Sequence, residues 1–331
     1  MQYSSWLPVA GPIGYPLTYD GAQSNWVDHL KSSGYNFGPN TKGTLYGQPV
    51  TFARYDRAVA GAASADLASQ VTNLKADITS QNVKLTVLGI GGNDFTLGGY
   101  GTIYDKAANP LFNPLTDTAT KTFMNTIVNR ITAGVNSTLT SDPNQHMILM
   151  TIPDLGSMPA FADAFPIASQ RADVTQVVTA INQRIIALAA SHHMPVVNLQ
   201  PLTDIVQNPP TIAGVTLLPT GGDSGQNMFL SDSFHPGTII NGILANAILY
   251  ANKIAYNDPV TYISDQTIVT RAGLTPTSGG PTYYNVAPYV IFTPVPEPSS
   301  LALAGIAVAI SVGAAVRRRH RVALSGAALS G

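Results

Sequence analysis

The chain has no cysteine. Disulfides, thiolate metal sites and cysteine nucleophiles are excluded, although that absence does not fix the compartment. Charge is scarce too. Asp, Glu, Lys and Arg make up 11% of the 331 residues against 45% hydrophobic, so the chain is too apolar for disorder and can bury a sizeable core. A basic surface is also missing. The formal net charge is −1, yet Arg317, Arg318, Arg319 and Arg321 lie in the last fifteen residues without an acid, so the rest carries −5. Nothing there neutralises phosphates, and no nucleic-acid partner is expected. Met1-Gln2-Tyr3-Ser4-Ser5-Trp6 holds no basic stretch followed by an apolar run, so it is not a signal peptide.

What is present begins with one long apolar run, Leu301 to Val316. As a helix it spans about 24 Å, slightly short of a ~30 Å hydrocarbon core. The arginines and His320 follow at once, and such a cluster stays on the cytoplasmic side. Pro296-Glu297-Pro298 precedes the run and makes a stiff, exposed segment. The three features in this order resemble the PEP-CTERM sorting signal. That resemblance implies a bacterial exported protein, recognised by an exosortase-type protease, held transiently in the membrane by helix 301–316 and delivered to the cell envelope or extracellular matrix. A plain C-terminal membrane anchor is the alternative. Both require export, so an N-terminal signal is expected ahead of Met1.

In the body of the chain, Val50–Tyr55, Leu85–Ile90, His146–Ile152 and Pro195–Leu199 read as buried strands, being short apolar runs near turn signals. Ser64–Asn82 carries Leu67, Val71, Leu74 and Ile78 at helical spacing. Lys121–Val135, Val174–Ala190 and Ile239–Ala255 read as further helices. Strands alternating with helices predict an α/β fold with a parallel sheet covered on both faces. Residues 258–294, rich in Thr, Pro, Gly and Tyr, read as short strands or a linker between a main domain at 1–257 and the signal at 295–321, with 322–331 as a tail.

Three constellations carry chemistry. In Ser231-Asp232-Ser233-Phe234-His235 the carboxylate can reach back to the Nδ1–H of His235, fixing the tautomer that leaves Nε2 free to take a proton from a hydroxyl. A helix-capping Asp beside a surface His is the commoner meaning of this spacing. Ile90-Gly91-Gly92-Asn93-Asp94 ends an expected strand, where ligand sites of open α/β sheets lie, and Asn93 offers an N–H for an oxyanion. A plain turn uses the same residues. Gly61, in the stretch Asp56–Ser64 after the first visible strand, can offer a backbone N–H, or simply open a turn.

The order and spacing of these blocks, with Ile152-Pro153-Asp154-Leu155-Gly156 and with Asn182 inside a helix, resemble the SGNH/GDSL hydrolases over residues 20–255. The resemblance implies a three-layer α/β/α, flavodoxin-like fold with a mostly parallel five-stranded sheet. It implies hydrolysis of carboxylic esters, lipids or acylated glycans, by acyl transfer without metal or cofactor. His235 becomes the general base, Asp232 its orienting carboxylate, and Gly61 and Asn93 the oxyanion donors. Asp56 departs from the family, where Asn is usual.

The family's first block, a strand ending in Gly-Asp-Ser, is not seen ahead of the expected Asn25–Gly34 helix. The one Gly-Asp-Ser present, Gly222-Asp223-Ser224, lies in a Gly-rich loop with no strand leading into it, which leaves Ser224, like Ser4 and Ser5, a poor nucleophile candidate. The missing strand would be central, and its loss would open a gap. The expectation is therefore that Met1 is internal and that a signal peptide, the strand and the nucleophile precede it. Two other readings stay open: a non-catalytic surface or matrix binding protein on the same fold, and a different α/β enzyme using Asp94 or Asp232 and His235 otherwise, for example as metal ligands.

Overall fold

The computed structural model describes residues 24–45, 48–55, 57–58, 61–80 and 82–294. The chain divides between Phe292 and Thr293, and the fold below is that of the first unit. The apolar run 301–316 lies outside the described residues, among which no helix is long and apolar enough to cross a membrane.

The central sheet is built from β3 (Leu85–Leu88), β4 (His146–Met150), β5 (Val196–Val197) and β6 (Val290–Ile291). Their order is β6-β5-β4-β3. β3, β4 and β5 run parallel, with Leu85 opposite His146 and Leu149 opposite Val196, while β6 is antiparallel to β5. An unbroken apolar run suits β4, whose residues Met147 to Met150 are at most 3% exposed because strands flank it on both sides and helices on both faces.

Two groups of helices make the outer layers. On one side α2 (Leu67–Thr79) packs on α3 (Thr118–Ser141), which packs on α4 (Ala168–Ser191). On the other, α5 (Thr238–Tyr256) lies against β4, β5 and β6 and carries α1 (Trp26–Lys31) and α6 (Asp265–Arg271) on its back. α5 is apolar almost all round and is buried almost all round, as a helix between sheet and helices must be. This is the expected three-layer α/β/α arrangement.

The details depart from expectation in several places. The Val50–Tyr55 strand forms instead as β2 (Gln48–Ala53), paired antiparallel with β1 (Asn40–Leu45) in a separate hairpin rather than in the central sheet. Among the described residues the central sheet thus has four strands rather than five, and the outer edge of β3 pairs with no strand. The Pro195–Leu199 strand shrinks to two residues because Asn198 caps a helix starting at Leu199, its Oδ1 accepting the Gln200 N–H at 3.3 Å. The segment 258–294 supplies α6 and the sheet strand β6. Helices α3 and α4 extend beyond their expected bounds by turns of mostly polar residues, of which Thr120, Thr138 and Gln170 are buried.

Candidate active site

The turn Leu230–His235 stands between the short strand Asn227–Phe229 and α5. It is fixed by two backbone bonds, Leu230 N–H to His235 O and Ser233 N–H to Leu230 O, both 2.8 Å. Ser233 takes a left-handed conformation, φ 57°, which reverses the chain and brings residue 232 under residue 235. Oδ1 of Asp232 accepts the backbone N–H groups of Phe234 and His235, each at 2.9 Å. Its Oδ2 accepts Nδ1–H of His235. Both side chains are buried, Asp232 at 9% and His235 at 4% exposure. Burial alone would push the Asp232 carboxyl up, but the bond and charge of His235 and the two backbone N–H groups outweigh it, and the net shift is downward. Asp232 is therefore held ionised, and its bond occupies Nδ1 of His235, leaving Nε2 as the other ring nitrogen.

The second half comes from the carboxyl end of β3. Gly91 has φ 115°, and a Cβ there would sit 2.8 Å from Cδ1 of Ile152, so only glycine makes this exit from the strand. Asn93 follows, its Nδ2 donating to the carbonyl of Ala62 at 3.0 Å. The contact places Asn93 one residue from Gly61, whose φ is 74°. The loop is held by a clamp that sequence reading did not find. Oδ2 and Oδ1 of Asp94 accept the N–H and Oγ–H of Ser64, both at 2.7 Å, and Arg130 donates to Ser64 Oγ at 3.2 Å. The residues are 30 and 66 positions apart, so nothing in the sequence pairs them.

Asn93 and His235 line one cavity of about 90 Å³. Its walls are apolar, with Leu155, Met158, Leu202, Met228, Ile240 and Leu244, and Thr203 among the few polar groups. Phe234 packs edge-on against the His235 ring at 4.7 Å and against Phe161 at 5.5 Å. Asn182 supports the site from behind, bonding the backbone N–H and carbonyl of Ile152, both at 2.8 Å, next to Pro153 of the cavity wall.

A buried Asp–His pair and an Asn amide, brought to one apolar cavity from residues about 140 positions apart, form an arrangement chemically able to orient a base and donate to an oxyanion. The sequence agrees, since the model of the GDSL-like lipase/acylhydrolase family matches residues 18–248. The chain belongs to this family. The PEP-CTERM protein-sorting motif matches residues 294–319 and marks this GDSL-family chain for export to the cell envelope. No curated protein and no solved structure matches it.

Other candidates fall elsewhere in this family member. Ser224 sits in the turn before Asn227, accepting that residue's N–H at 2.9 Å, and is not part of the cavity wall. Ser4, Ser5 and Asp56 lie outside the described residues. Asp94 is committed to Ser64 and Asp232 to His235. Among the described residues no three His, Asp or Glu side chains gather as a metal site.

Proposed function

We propose that the protein is an exported serine ester hydrolase. His235 takes the proton of a serine hydroxyl through Nε2, and Asp232 holds the tautomer and stabilises the imidazolium that forms. The backbone N–H of Gly61 and the amide of Asn93 receive the oxyanion of the tetrahedral intermediate. Water then attacks the acyl-enzyme by the same route, and neither metal nor cofactor enters. The observation that carries this reading is the Asp232–His235 pair opening onto the cavity that also holds Asn93. The apolar wall favours an ester whose acyl part is a hydrocarbon chain, from a lipid or an acylated matrix glycan. Recognition by an exosortase-type protease and transient membrane anchoring by the apolar run 301–316 belong to the same proposal.

The nucleophile this reading requires is the serine of a Gly-Asp-Ser block; no serine is among the residues that line the cavity. Labelling the native exported protein with a fluorophosphonate, followed by mass spectrometry, tests this. The labelled serine is expected in such a block. Labelling of Ser224 would refute the assignment, and a native protein that takes no label would be a binding protein on this fold.

A further inference from the structure

Leu111 is 91% exposed, more than any other large apolar side chain among the described residues. It is built into that position. Asn109-Pro110-Leu111 and Asn113-Pro114-Leu115 repeat one tripeptide, and in each the Asn Oδ1 accepts the Leu backbone N–H, at 3.0 and 2.9 Å. These are Asx turns stiffened by a proline of fixed φ, so the backbone cannot easily fold either leucine inward. Leu115 is 42% exposed. Lys106 and Asp117 pair at 2.8 Å across the base of the loop, and residues 107–116 between them carry no charge.

The loop stands at the end of the fold that holds the cavity. α3 and α4 each stop just before the parallel strand they feed, β4 and β5, so their first residues, Thr118 and Ala168, lie toward the carboxyl end of the sheet, as Asn93 does. At 24 residues, about 36 Å, both helices overreach the five-residue β4. Ile167, 51% exposed, precedes α4 in a second uncharged stretch, 164–170, and gives its N–H to the Tyr104 hydroxyl at 2.9 Å. Ring contacts then run from Tyr104 through Phe165, Tyr100, Phe161 and Phe234 to His235, each at 5.5 Å or less between centroids. Packed rings thus join this rim to the cavity wall.

We propose that Leu111, Leu115 and Ile167 dock the protein onto a lipid surface of neutral or zwitterionic headgroups. A lone aliphatic side chain standing almost wholly in water suits a deformable hydrocarbon layer. A protein partner calls instead for a broad patch, roughly 800 Å² a side, with a pocket for each anchor. Asp105 and Asp163, exposed beside the two uncharged stretches against a single exposed Lys121, disfavour an anionic surface. Docking brings the cavity end of the fold to the layer, so its ester is drawn from an aggregate rather than from dilute solution. That consequence rests on the proposed function; the docking surface does not.

The absence of cysteine makes the test local. Leu111→Cys in the full chain, labelled with an environment-sensitive dye, is titrated with phosphatidylcholine vesicles containing nitroxide lipid. Blue-shifted emission and quenching are expected at 111 and not at Ile254→Cys, exposed near the other end of α5. Adding Leu115→Ser should raise the lipid concentration at half-shift about tenfold, the scale of one leucine moved between water and hydrocarbon. Silent dyes at both positions, as when the apolar run 301–316 alone holds the chain, overturn the proposal. So do equal responses at both positions, or an unmoved midpoint in the double variant. A shift that grows with protein concentration without vesicles overturns it too, making a second copy the occupant. A protein that docks and hydrolyses nothing keeps the surface and removes only the catalytic reading.

Discussion

Asp232 grips His235 twice: Oδ2 accepts from the imidazole Nδ1 while Oδ1 accepts the backbone N–H of the same residue at 2.9 Å. One carboxylate thus sets both the ring tautomer and the turn that carries the ring. Asp232→Asn keeps a backbone acceptor but can present an N–H to Nδ1, forcing the wrong tautomer. On the proposed function, kcat of the exported protein for a p-nitrophenyl ester should fall about 10³–10⁴-fold with little change in KM. Wild-type kcat in this variant would remove Asp232 from the mechanism.

Asn93→Ala deletes one proposed oxyanion donor. A loss of about 10²–10³ in kcat is expected with KM nearly constant, because the bond matures only as the oxyanion forms. Ser64→Ala loosens the Asp94 clamp without touching the cavity. It should lower kcat less than Asn93→Ala does, and a thermal melt would separate that effect from unfolding.

The cavity wall should choose acyl length. Leu202→Phe adds volume to a space of about 90 Å³. The ratio of kcat/KM for octanoate over butyrate esters should drop about tenfold or more, the scale on which a few methylenes are discriminated in an apolar pocket. An unchanged ratio would place the acyl chain elsewhere.

His29 makes folding pH-dependent. Its Nε2 meets the Thr238 carbonyl and its Nδ1 the Arg271 guanidinium, both at 3.0 Å, an arrangement that suits neutral imidazole. Burial, then the Arg271 charge, lowers its pKa from an ordinary 6.5 to about 4, against the opposing Thr238 bond. Between these values the unfolded chain binds a proton that the folded chain refuses. The contribution is complete above 6.5 and is lost as pH falls toward 4, amounting to about 3 kcal/mol. Urea unfolding at pH 7.5 and 4.5 should show the loss, and His29→Gln should flatten it.

By itself the sequence determined what short-range chemistry dictates. The apolar runs at Leu85 and His146 read as interior strands, and the helices expected at Ser64–Asn82, Lys121–Val135, Val174–Ala190 and Ile239–Ala255 follow from periodic apolar residues, though the structure carries two of them several residues further. The Asp232–His235 spacing is likewise local, since three residues with a left-handed Ser233 suffice to join them. Only the tertiary structure decided the rest. β2 leaves the central sheet because strand pairing depends on which neighbour is present, not on the strand's own residues. Asp94 meets Ser64, and Asn93 shares a cavity with His235, through folding of the sheet and its loops, which no run of residues encodes locally. The slot beside β3 is the plainest case. Each wall reads as an ordinary amphipathic helix or strand, and only their assembly shows a cavity along β3, which has no strand partner on one side among the described residues.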